Sequence, residues 1–155
     1  MTKADEAHVD AFYPRDEEWI KRIGGKTLST YEKLGLDAQK ELGTADPLAI
    51  GNMVRSWLII YMTSAPVVPL VVKGIHAVSM IRKLVGETMP ANAQLGSIRG
   101  DFSTDSPAAA NMERRSVFNI VHATETEEEA AKELRHWFTP EEICDYRRTD
   151  DEVFD

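Results

Sequence analysis

The histidine at position 122 is the residue in this sequence whose type and surroundings are best suited to chemistry. It lies in the segment Asn119-Ile-Val-His122-Ala-Thr124-Glu125, which the sequence predicts to be the end of a buried strand followed by a helix. Neutral imidazole is a competent nucleophile and is largely uncharged at neutral pH. It can accept a phosphoryl group at one ring nitrogen while a partner holds the other. A lone histidine at a strand end is more often a packed structural residue, so other segments must decide.

A second candidate for chemistry is the long segment 87–106, which is rich in glycine, proline, asparagine and serine and is predicted to be a loop. It carries Thr88 and Arg99, and Arg82 precedes it on a predicted helix. Guanidinium groups pair bidentately with phosphate oxygens, so these side chains suit a polyphosphate ligand. The alternative is that both arginines are ordinary surface charges of an acidic chain.

The elements that must position these residues are mostly helical. Apolar residues at three- and four-residue spacing after Asp46-Pro47 predict the most regular helix. Thr124 and Glu127 fit a capping box that opens the helix after His122. The predicted helices are 4–12, 15–22 (ended by Gly24-Gly25), 27–34, 47–62, 76–84, 107–115 and 124–138, and the predicted strands are 66–72 and 117–121.

The composition is that of a soluble protein of one domain spanning residues 1–155. The chain is 43% hydrophobic and 28% charged, and its formal net charge is −8, which argues against nonspecific binding to nucleic acid or anionic membranes. No apolar run approaches the roughly 20 residues of a membrane helix. The start has no signal-like stretch, and Cys144 is the single cysteine, so the cytoplasm is the expected compartment.

Several segments taken together resemble one family in their order and spacing. They are Met62-Thr-Ser-Ala-Pro-Val-Val, Gly86-Glu-Thr-Met-Pro, Gly96-Ser-Ile-Arg-Gly-Asp-Phe, Asn119-Ile-Val-His-Ala-Thr-Glu and Trp137-Phe138 before Pro140. The family is nucleoside diphosphate kinase, and the resemblance covers about residues 62–146. It implies that the chain transfers the γ-phosphoryl group from a nucleoside triphosphate to a diphosphate by a ping-pong mechanism through phosphohistidine.

The resemblance also implies a role for each matching residue. His122 would be the phosphorylated nucleophile, Glu133 the carboxylate that orients it, and Thr124 the hydroxyl residue beside it. The nucleotide contacts would come from Arg82, Thr88 and Arg99 at the phosphates, Asn119 at the sugar, Tyr13 in the active site and Trp19 on the base. Mg²⁺ would be held by ATP and the other nucleotide phosphates, with no metal ligand from the protein, and the chain would form a homo-oligomer.

The match fails at the amino terminus. The family opens with a strand that carries a Lys-Pro-Asp motif, and residues 1–12 contain nothing like it. We therefore expect an α/β (α+β) fold, a ferredoxin-like antiparallel sheet with helices, whose N-terminal strand or strands are missing. The alternative function is a catalytically inactive nucleotide-binding or partner-binding subunit of the same fold.

Overall fold

Helices account for most of the backbone that the structure describes. The structure is a computed structural model that describes residues 4–144 and residue 146. No helix in that part of the chain combines the length and the apolar character that a bilayer crossing requires. Its α-helices are α1 (Glu6–Phe12), α2 (Glu17–Lys33), α3 (Ala38–Leu42), α4 (Pro47–Thr63), α5 (Ala77–Val85), α6 (Ile98–Phe102), α7 (Pro107–Met112) and α8 (Glu127–Trp137), with 3-10 turns at Pro90–Asn92 and Pro140–Glu142.

Helix α2 runs unbroken through Gly24 and Gly25, where the sequence predicted a break between two short helices. The reason is its contact with α4. A Cβ atom on Gly24 would lie 1.9 Å from the carbonyl oxygen of Pro47, and one on Gly51 would lie 2.0 Å from that of Ile20. Glycine at both positions allows the two backbones to touch, which offsets its cost of about 1 kcal/mol in a helix.

The apolar core consists of two clusters, one near each end of α4. One cluster joins Ile50 to Tyr31 of α2 and Ala38 of α3. The other joins Ile59 to Val9 of α1. Helix α4 therefore connects the α2–α3 end of the molecule to α1, the helix that precedes Tyr13.

The predicted ferredoxin-like antiparallel sheet is wrong for the part of the chain that the structure describes. Segments 66–72 and 117–121 are loops, and Val67 is the one residue within 4–144 and 146 that has a β-bridge. A strand is stable only when its N–H and C=O groups pair with a neighbour, and no backbone hydrogen bond joins these two segments. Most of their apolar side chains are exposed, and Leu70, for example, is 79% accessible.

The helix after His122 begins two residues later than the sequence predicted. Thr126, not Thr124, is the N-cap of α8, and its hydroxyl accepts a hydrogen bond from the Glu129 N–H at 3.1 Å. The Glu129 carboxylate accepts in turn from the Glu125 N–H. The later start leaves Ala123 to Glu125 as a short connection between His122 and the helix.

Candidate active site

His122 and Glu133 form the centre of the site. Nε2 of His122 lies 2.8 Å from Oε1 and 3.0 Å from Oε2 of Glu133, which projects from α8. The imidazole is half exposed, whereas the Glu133 side chain is largely buried. Because a carboxylate can only accept, this contact favours the tautomer that carries its proton on Nε2 and leaves the Nδ1 lone pair free.

The backbone before His122 forms two consecutive three-residue turns in place of the predicted strand. The Asn119 N–H donates to the Val117 carbonyl at 3.0 Å, and the Val121 N–H donates to the Asn119 carbonyl at 2.7 Å. The central residue of the second turn, Ile120, has a φ of 57°. A positive φ is unusual and strained for a β-branched residue, and the γ-turn of this type is rare.

Arg99 holds these turns from inside the protein. Its guanidinium donates to the carbonyl oxygens of Val121 at 2.6 Å, Gly86 at 2.9 Å and Asn119 at 3.3 Å. Arg99 is buried, and this burial, together with the nearby charge of Arg82, lowers the pKa of its guanidinium. The buried arginine thus links the loop after α5 to the segment that carries His122.

Arg82 contacts the chain just after His122. Its Nη1 donates to the Ala123 carbonyl at 3.5 Å, and its Nη2 lies 3.6 Å from Oε1 of the exposed Glu125. Thr88 is exposed, two residues after the glycine whose carbonyl Arg99 binds. No contact among the described residues joins Thr88 directly to His122.

Tyr13 and Trp19 approach the site from the amino-terminal helices. Burial, together with the nearby Tyr61 and Glu133, raises the pKa of the Tyr13 phenol to about 12. The ring centroids of Tyr13 and Trp19 lie 6.4 Å apart. Arg55 of α4 fixes this region, since its Nη2 donates to the Tyr13 carbonyl at 3.3 Å.

The structure therefore gathers most of the predicted residues around one segment. Glu133 contacts His122 directly, Tyr13 lies near Glu133, and Trp19 lies next to Tyr13. The residues Arg82, Arg99, Asn119 and Thr124 meet along the backbone of 119–124.

The sequence reasoning missed one residue that contacts His122 and one that binds the segment before it. Phe12 packs edge-on against the imidazole, with ring centroids 5.6 Å apart. The Tyr61 hydroxyl accepts the N–H of Ile120 at 3.1 Å. Phe12 adjoins Tyr13 and could have been found by that proximity. Tyr61 lies on the apolar face of α4, and nothing in its spacing indicated a hydrogen bond to residue 120.

Known proteins match this chain closely. The sequence model of the nucleoside diphosphate kinase family matches residues 52–143. The nucleoside diphosphate kinase of Pyrobaculum aerophilum is 46% identical over 145 residues, which are 94% of this chain and 79% of that protein. The enzyme of Methanothermobacter thermautotrophicus is 35% identical over 142 residues, which are 86% of this chain and 88% of that protein.

Solved structures that are similar to this chain are also nucleoside diphosphate kinases. An NDP kinase from Pyrobaculum aerophilum superimposes with a TM-score of 0.85 at 43% identity, and the match covers 93% of this chain and 79% of that one. The nucleoside diphosphate kinase of Borrelia burgdorferi, in a transition-state mimic with bound vanadate and ADP, superimposes with a TM-score of 0.63 at 32% identity, covering 82% and 84%. The protein is a phosphotransferase. It belongs to the nucleoside diphosphate kinase family.

Proposed function

We propose that this chain transfers phosphoryl groups between nucleotides by carrying them on Nδ1 of His122. The observation that supports this most directly is the contact of both Glu133 oxygens with Nε2. With its proton held there, the half-exposed ring has an unprotonated Nδ1. A neutral imidazole fixed in one tautomer is well prepared for nucleophilic attack.

The reaction takes place in two half-reactions. Nδ1 attacks the γ-phosphorus of the magnesium complex of a nucleoside triphosphate, the N–P bond forms, and the bond to the β-γ bridging oxygen breaks. The nucleoside diphosphate leaves with that bridging oxygen. In the second half-reaction a terminal oxygen of another diphosphate attacks the phosphohistidine and restores neutral His122. Glu133 stabilises the positive charge that the ring acquires while phosphorus is bound.

We assign the nucleotide phosphates to Arg82, Thr88 and Arg99. The partner of Arg82 is an exposed carboxylate at 3.6 Å, and an exposed pair of this kind contributes little free energy, so a phosphate can replace it. Arg99 uses one N–H on each terminal nitrogen for a carbonyl and retains one further N–H on each. These two N–H groups are the donors that Arg99 would offer to a phosphate, which would have to approach along the edge of the buried guanidinium.

The remaining contacts concern the sugar and the base. Asn119 would bind the ribose, Thr124 would donate a hydroxyl beside His122, and Tyr13 would line the approach to Glu133. Trp19 would stack on the base, and stacking discriminates little between bases because each of them has a π-face. This arrangement fits an enzyme that accepts many nucleotides.

The metal, the oligomeric state and the location belong to the same proposal. Among residues 4–144 and 146, no three His, Cys, Asp or Glu side chains are grouped to hold a metal ion. Our proposal is that Mg²⁺ arrives with the nucleotide as part of the substrate. We also propose a homo-oligomer in the cytoplasm, which sedimentation of the purified protein and fractionation of the source cells would test.

Intact mass spectrometry after incubation with ATP and Mg²⁺ tests the central step. The parent protein should gain one phosphoryl group that is labile to acid and is removed by added GDP. The His122→Ala variant should gain none while still binding nucleotide. A gain in that variant would assign the phosphorylation to another residue, and no gain in the parent would favour the inactive nucleotide-binding subunit.

A further inference from the structure

Tyr61 makes a contact that the nucleotide and phosphohistidine roles above leave unexplained. Its hydroxyl accepts the Ile120 N–H at 3.1 Å, two residues before His122 and 59 residues away in sequence. We propose that Tyr61 is a positioning residue for His122, an inference that rests on the proposed phosphohistidine function. In the described part of the chain, no hydrogen bond or ring contact joins Tyr61 to the imidazole or to Glu133, so Tyr61 acts through the backbone.

The backbone at residue 120 needs such support because of its conformation. Ile120 has a φ of 57°, and the left-handed region costs a residue other than glycine roughly 1–2 kcal/mol. Strained residues of this kind persist only where the surrounding structure over-determines them. Without a restraint, Ile120 would relax towards negative φ and carry Val121 and His122 with it.

The restraint acts on both sides of the strained residue. Arg99 binds the carbonyl oxygens of Asn119 and Val121, which flank Ile120. Arg99 has only donors and cannot bind the Ile120 N–H, which donates to the Tyr61 hydroxyl instead. Arg99 therefore holds only carbonyl groups. The Tyr61 hydroxyl holds the N–H of the peptide between Asn119 and Ile120 and so restricts the rotation of that peptide.

The Tyr61 ring is itself held, which makes its hydroxyl a rigid acceptor. It stacks on Phe118, with centroids 5.0 Å apart and an interplanar angle of 30°. Phe118 is anchored through its own backbone, since its N–H donates to Asp105 at 2.7 Å and its carbonyl accepts from Ser103 at 2.7 Å. Replacing Tyr61 by phenylalanine removes the hydroxyl alone and keeps this stack.

Tyr31 offers a matched control. Its hydroxyl is also bound to the backbone of a distant segment, but here it donates to the Asn111 carbonyl at 2.8 Å, and Tyr31 belongs to the core cluster of α2, α3 and α4. Tyr31→Phe and Tyr61→Phe thus each remove one tyrosine hydroxyl bound to the backbone of a distant segment. If both hydrogen bonds were purely structural, both variants would be less stable than the parent and both would phosphorylate at the parent's rate.

The test is the single-turnover rate of phosphorylation by ATP, measured for the parent and both variants. We expect Tyr61→Phe to lower the rate about five- to tenfold while the KM for ATP changes by less than about twofold, because loss of a neutral hydrogen bond has this order of effect. Tyr31→Phe should lower the melting temperature and leave the rate unchanged. Equal rates for Tyr61→Phe and the parent, or equal losses in the two variants, would overturn the proposal.

Two measurements do not depend on activity and separate this inference from the proposed function. In the parent, the Ile120 amide should exchange slowly with solvent although its residue is 48% exposed, because its N–H is bound. The nitrogen chemical shifts of the His122 ring should move in Tyr61→Phe and stay in place in Tyr31→Phe. Fast exchange of the Ile120 amide, or unchanged His122 ring shifts in Tyr61→Phe, would refute the positioning role of Tyr61 even if phosphorylation occurs. If the parent were inactive but its Ile120 amide were protected and the ring shifts moved in Tyr61→Phe, only the phosphohistidine function would be refuted.

Discussion

The contact between Glu133 and His122 gives the prediction that the structure defines most sharply. Glu133→Gln preserves the shape of the side chain and one oxygen acceptor for the Nε2 proton. It removes the negative charge that lies within hydrogen-bond distance of the ring. Since the ring becomes positively charged as it bonds to phosphorus, the lost stabilisation falls mainly on the transition state.

The magnitude follows from the separation and the exposure of the two groups. Unit charges about 4 Å apart interact by roughly 4 kcal/mol where the effective dielectric constant is near 20. The half-exposed imidazole is screened by water, which lowers this to about 1.5–2 kcal/mol, within the range of charge-assisted hydrogen bonds. Since 1.36 kcal/mol is a factor of ten, the rate should fall about ten- to thirtyfold.

The assay is rapid-quench phosphorylation of the protein by saturating ATP and Mg²⁺, which reports the chemical step without turnover. Glu127→Gln is the control, because it removes one carboxylate from the first turn of the same helix. The control should phosphorylate at the rate of the parent, and the KM for ATP should be similar in all three proteins.

A Glu133→Gln rate within about twofold of the parent would refute the assigned role of the carboxylate. An equal loss in Glu127→Gln would instead attribute the effect to the field of the whole helix. A loss of more than about a thousandfold would mean that the glutamate does more than hold and stabilise the ring.

Two further predictions concern stability. Gly24→Ala should destabilise the protein by about 1–3 kcal/mol, because its Cβ would meet the Pro47 carbonyl, whereas Gly25→Ala has nothing within 4 Å and should stabilise it by about 0.5–1 kcal/mol; urea unfolding of both variants measures this, and changes of the same sign would contradict the close α2–α4 contact. Asp105→Asn should cost about 2–3 kcal/mol at neutral pH, since the Asp105 carboxylate binds Arg115 at 2.5 Å and accepts the Phe118 N–H. The hydrogen bond from Arg115 lowers the pKa of Asp105 below its usual 3.8, so this contribution is present above about pH 4 and is lost as the pH falls through the pKa of the folded protein. The free energies of unfolding of the parent and of Asp105→Asn, measured in urea at several pH values, should therefore converge below the pKa of Asp105 in the folded protein. A difference that persisted there would show that the ionised carboxylate is not the cause.

The sequence alone determined those features whose causes are local. The Asp46 side chain accepts the N–H groups of Leu48 and Ala49 and begins α4 where the Asp-Pro pair predicted it. The order of motifs around residues 62–146 was sufficient for the nucleoside diphosphate kinase family, which the comparisons confirm. Caps and motifs involve residues close in sequence, so their meaning survives without knowledge of the fold.

Only the tertiary structure decided features that depend on distant partners. Gly24 and Gly25 resemble a helix end in sequence, but the backbone of α4 makes Gly24 a contact residue inside a continuous helix. Segment 117–121 has the composition of a strand and forms turns, because its polar backbone groups are bound by Arg99 and Tyr61 and by no neighbouring strand. A strand, a helix contact and a strained turn each depend on what lies opposite, and spacing within one segment does not contain that information.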